Sequence, residues 1–155
     1  MERVEGRETE VSKAEVTSRA DDVGKEVEKA MLKAARMIGG SVAGHAIDQC
    51  PVDTGLLRNS ITFAIGGEPP AVTDYQSDEK DKNGEYTTGH YDGEAPQDDD
   101  DEVTVYVGTN VQYAPYQELG APNAHVPEHP FLRPAFENNK REIEQILEKC
   151  LREVK

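Results

Sequence analysis

Val23, Val27, Met31, Ala34, Ile38, Val42 and Ala46 recur at intervals of three and four residues, the spacing that lines one face of an α-helix. Asp21-Asp22 marks a start just before this stripe. Pro51, which has no amide proton and biases Cys50 away from helical angles, ends the helix near Asp48 to Cys50. At about 1.5 Å per residue the helix is roughly 40 Å long, unless Gly39-Gly40 bends it. Gly40, Ala43 and Gly44 make a small-residue patch that suits packing on the chain's own sheet or a subunit contact. Residues 1–20 have few large apolar side chains and are expected to be a flexible or helical extension, with residues 21–155 forming a single domain.

The stretch Pro51-Val52-Asp53-Thr54-Gly55-Leu56-Leu57-Arg58-Asn59-Ser60-Ile61 moves from helix to strand chemistry. Asp53 or Thr54 can cap a short helical turn, Gly55 tolerates angles that a side chain resists, and Leu56, Leu57 and Ile61 are available to the core. Arg58 and Ser60 are its remaining polar residues. The Arg58 guanidinium suits a forked pair with a carboxylate, and Glu118 is the first candidate.

Residues 61–65 and 103–107 have strand chemistry and are expected in an antiparallel sheet. The polar segment 66–102 between them predicts an acidic hairpin or loop insertion, with weak strands at 71–76 and 85–91 and a mobile tip at Asn83-Gly84. Val111 to Gly120 predicts a short helix with Pro115 near its start and Gly120 at its end, presenting Tyr113, Tyr116 and Glu118. A loop with Pro122, Pro127 and Pro130 follows. Leu132, Ala135, Phe136, Ile143, Ile146, Leu147, Cys150, Leu151 and Val154 then mark a second amphipathic helix, with Pro134 in its first turn. The fold class is α+β: a small antiparallel β-sheet flanked by a long N-terminal helix and a C-terminal helix.

Charge narrows the function. The 155 residues carry a formal charge of −14, from 31 acidic and 17 basic residues, and no cluster of Lys and Arg suited to gripping phosphates. No apolar run is long enough to cross a bilayer and the first residues show no signal-peptide core, so a soluble protein, intracellular at least when made, is expected. Cys50 and Cys150 are expected to be reduced, packed thiols.

Catalytic signatures are missing. His125 and His129 have the spacing of a helical metal pair, but Pro127 between them and Pro130 after them keep them off a common helix face. His45, His90 and Cys50 follow no ligand spacing. Asp98-Asp99-Asp100-Asp101 lacks the alternating ligands of a calcium loop and reads as a solvated charge run. No phosphate loop, nucleophile elbow or paired-carboxylate arrangement is present, so the expectation is no enzyme, no metal and no cofactor.

Three motifs in fixed order carry a resemblance. Pro51-Val52-Asp53-Thr54-Gly55 with Leu57-Arg58 and Ser60-Ile61 comes first. Val107-Gly108-Thr109 with Tyr113-Ala114, Tyr116, Glu118 and Gly120 is second, and Pro130-Phe131-Leu132-Arg133-Pro134-Ala135 third. Together they resemble the tail-component family of tailed bacteriophages. Leu119 stands where an aromatic residue often sits in that family, and the acidic segment is larger than its pattern. The resemblance implies a neck protein for tail completion or head-to-tail joining: a homo-oligomeric ring, a hexamer, in the virion. Its neighbours would be a head-side connector or stopper protein and a tail tube or tail terminator protein. Double-stranded DNA would pass through the channel without specific binding. The acidity fits a lumen that repels phosphates and equally fits a high-salt host. The competing class is an acidic binding module, such as a DNA-mimic inhibitor, supported by charge alone.

Overall fold

The computed structural model describes residues 2–98 and 102–154, with side chains from residue 22 onward. Helix α1 runs Glu2–Gln49, so Gly39-Gly40 does not interrupt it and the helical form of the N-terminal extension is the one present. Pro51 follows its end, as its missing donor requires. After it come α2 (Leu56–Ser60), β1 (Thr62–Ile65), β2 (Asp74–Lys80), β3 (Tyr86–His90), β4 (Val105–Gly108) and α3 (Ala114–Leu119). A 3-10 turn (Pro122–Ala124), α4 (Leu132–Glu137) and α5 (Lys140–Arg152) complete the chain. The class is α+β, and the described residues form two two-stranded antiparallel sheets, the small sheet and the acidic hairpin.

In the first sheet β1 pairs with β4, Thr62 opposite Gly108 and Ile65 opposite Val105. Both strands start later than the sequence pattern suggests. Ile61 closes α2 instead, its amide donating to the Arg58 carbonyl. Alternation along β1 turns Phe63 toward α1, where its ring lies so close to Gly39 that a Cβ there would overlap it. This is the packing role foreseen for the small residues of α1, moved to Gly39 from the 40–44 patch.

The second sheet is the β2–β3 hairpin, three residues later at its start than expected. Ala71 and Val72 are taken by β1 instead, through Ala71 N to the Phe63 carbonyl and Val72 N to Thr62 Oγ1. The register shifts between Gln76 and Lys80. Buried Ser77 fills that irregularity, accepting from Thr87 N and donating to the Glu79 carbonyl. At the tip, the Asp81 carboxylate accepts from the amides of Asn83 and Glu85, so Asn83-Gly84 sits in an organised turn.

The C-terminal stripe forms two helices where one was expected. The break falls at Asn138-Asn139, where the Asn139 side chain bonds the Ala135 carbonyl in competition with the helix ladder. α5 runs antiparallel to α1: Glu142 bonds both Ser41 and His45, and Glu153 bonds Lys33. The core is built from Val42, Ala43, Ala46, Cys50, Leu57, Ile61, Val111, Ala114, Phe131 and Ala135. The stripe on α1 is therefore buried only from Ala34 onward, while Val23 and Val27 are exposed. Residues 99–101, most of the acidic run, lie outside the described residues, as do the side chains of residues 1–21.

Candidate functional site

The three sequence motifs meet in one place, because each contributes to the same core: Leu57 and Ile61 from the first, Val111 and Ala114 from the second segment, Phe131 and Ala135 from the third. The polar residues between them set the geometry.

Neither Asp53 nor Thr54 caps α2. The N-cap is Gly55, at φ 83°, and no side chain bonds the helix start. An added Cβ on Gly55 would strike the Asp78 carboxylate, so both the angle and the space require glycine. Thr54 acts through its backbone, its carbonyl accepting from Asp78 N at 2.8 Å. Arg58 does not reach Glu118. Its guanidinium pairs with Asp78 of the hairpin at 2.5 Å, and Asn59 donates to the Gln76 carbonyl and to Asp78. The first motif thus clamps the β2–β3 hairpin to the body. Ser60 is fully buried, donating to the Leu57 carbonyl and bonded to Thr109 Oγ1 of the second motif. Tyr91, just past β3, donates to the Ser60 carbonyl at 2.6 Å and accepts from Asn110 N.

Glu118 is the buried acidic residue of α3. Its carboxylate accepts from the amides of Phe131, Leu132 and Arg133, the first donors of α4, at 2.8–3.0 Å, and from Arg133 Nε at 3.1 Å. It caps α4 from another helix, satisfying donors that the helix cannot. Burial pushes its carboxyl up, but those amides and the Arg133 guanidinium outweigh burial and hold it below the ordinary value. Arg133 also donates to the Glu118 carbonyl and pairs with Glu128. Gly120 ends α3 at φ 73°, where a Cβ would press on the backbone of Glu128 and Val126. Pro134 sits in the first turn of α4, and Pro130 is half-buried beside the buried Phe131.

Outside this buried framework lies a surface rich in exposed apolar side chains, with Asp53 at its edge. Pro51, Val52, Asp53, Gly55, Tyr113 and Gln117 line an open groove. Beside it α3 presents Tyr113, Tyr116 and Leu119 at 42%, 58% and 61% exposure. Residues 103–127 contain one charged residue, Glu118, which is buried. The acidity is elsewhere: residues 66–102 hold 13 acidic residues against Lys80 and Lys82, a net −11 of the chain's −14.

Sequence reasoning missed Asp78, Asn59, Thr109, Asn110 and Tyr91 as partners of the motifs. Asp78 lies in a run of charged residues with nothing local to single it out. The cysteines are free and buried, and burial lifts the Cys50 thiol to about 11, against a smaller opposing pull from Arg58. Among the described residues no group of His, Cys, Asp and Glu could hold a metal ion, and no helix is long and apolar enough to cross a membrane. His45 is engaged with Glu142, and His90 with Asp74 and Asp92.

Comparison with curated proteins and with solved structures finds no match. The model of the HK97-gp10-like family, bacteriophage tail components, matches residues 14–120, which span the first two motifs and the whole acidic segment. The chain belongs to this family, and is a structural protein of a tailed phage.

Proposed function

From membership of that tail-component family, we propose that the chain is a neck subunit that completes the tail and joins it to the head. The match over residues 14–120 carries the reading. Copies of the chain form a closed ring, a hexamer, between a head-side connector or stopper protein and the tail tube or tail terminator protein. Double-stranded DNA passes through without specific binding.

The chemistry supports such a role. A net charge of −14 repels phosphates, so DNA meeting this surface slides instead of adhering. The α3 surface has the composition of a protein contact, with exposed Tyr and Leu and no exposed charge. The hairpin, tied to the body by Arg58 and Asn59, offers an acidic surface suited to a neighbouring ring.

Phage particles assembled without this chain are expected to accumulate as filled heads and separate tails in negative-stain images, and adding purified protein should join them. Joined, infectious particles in its absence would overturn the reading, as would labelled protein located at the distal end of the tail.

A further inference from the structure

We infer that the exposed valines of α1 in one copy dock on the α3 face of the next copy, forming the repeating contact of the ring; this rests on the ring reading above. A closed ring needs two different patches on every subunit, placed so that neither can satisfy the other within one chain. The molecule presents such a pair. Val23 and Val27 continue the spacing of the buried α1 stripe but are 52% and 38% exposed, because burial of α1 fades past Ala30, beside Val154. Tyr113, Tyr116 and Leu119 form the second patch, beside Val52 just past the other end of α1. Residue 27 and the end of α1 at Gln49 are about 33 Å apart along an uninterrupted helix, too rigid to fold back.

Charge decides that the occupant is a second copy. Residues 1–29, ahead of the packed part of α1, contain 6 of the 17 basic and 9 of the 31 acidic residues, a net −3, whereas residues 30–155 carry −11. Two bodies of that charge repel, and the more weakly charged arm is the part of one copy that can approach another. Its apolar stripe then meets the one surface stretch, residues 103–127, whose single charged residue is buried. A strongly basic partner would be drawn to the acidic segment instead.

Two variants of the full chain test the contact by sedimentation velocity. Val23→Asp/Val27→Asp disables the arm, and Tyr116→Asp/Leu119→Asp disables the face; all four positions are exposed, so both variants should melt like the parent. The unaltered protein is expected to associate as its concentration is raised toward about 1 mM. Each variant alone should stay monomeric, and an equimolar mixture should form a heterodimer and stop, because only one of the two contacts can then be made. A face variant that still self-associates indicates an arm-to-arm contact, and an arm variant that does so indicates face-to-face pairing; either overturns the inference. So does an unaltered chain that stays monomeric, or a mixture that does. Variants that form normal rings and join heads to tails would sink this contact while leaving the neck reading intact.

Discussion

Glu118 and Arg58 show how burial sorts two charged residues of similar appearance in the sequence. The Glu118 side chain is 11% exposed and accepts from three consecutive amides, whereas the Arg58–Asp78 pair is 36% and 48% exposed. Removing a buried acceptor leaves its donors unsatisfied, at about 1–3 kcal/mol, while an exposed ion pair contributes about 0–1 kcal/mol. Glu118→Ala is therefore expected to cost about 3 kcal/mol, and Arg58→Ala under about 1 kcal/mol. Thermal melts of both, with Arg133→Ala as the half-exposed partner, check the ranking; equal losses would refute it. The pH dependence has a definite sign. A carboxyl held below its ordinary value contributes stability above that value and loses it as pH falls through the lowered one. Glu118→Gln should accordingly flatten the acid side of the stability curve, measured by melting between neutral pH and the acid limb.

At the scale of elements, the acidic hairpin is part of the folded body. The sequence suggests that residues 66–102 bury little, since Tyr75, Tyr86 and Tyr91 are its main large apolar side chains. The structure buries Ser77, packs Tyr75 against Tyr91 at 5.7 Å, and ties the hairpin down through Thr54, Arg58, Asn59 and the Tyr91 hydroxyl. Replacing residues 74–90 with a Gly-Ser turn is thus expected to lower the melting temperature by several degrees. An unchanged melt would show that the hairpin is only an attachment. Gly120→Ala should also destabilise, by about 2 kcal/mol, because a side chain there meets backbone and not a movable side chain.

The same elements show what was legible. The α1 stripe, the stop at Pro51 and the β1–β4 pair followed from periodicity and proline chemistry, which act locally. The Arg58–Asp78 clamp and the Glu118 cap join residues 20 and 13 to 15 positions apart through tertiary placement. Composition alone does not determine which carboxylate an arginine meets. The Asn138-Asn139 break was hidden because the apolar spacing continues across it.

At the scale of the whole molecule, charge is unevenly spread, and this has a measurable consequence. Residues 66–102 carry a net −11 of the −14, and the exposed carboxylates of the β2–β3 hairpin, which the fold holds together, repel one another. Exposed charges of this kind are screened over about 10 Å at 0.1 M salt and over about 3 Å at 1 M, so added salt should stabilise the chain. Glu79, Glu85 and Glu94 are exposed and make no ion pair among the described residues, so their conversion to Gln removes repulsion without removing a partner. The triple variant is expected to melt above the parent at about 0.05 M salt, and the gap should close as salt approaches about 1 M. Matching salt slopes for the two proteins would show that the acidity does not strain the isolated subunit. The charge would then act only between molecules.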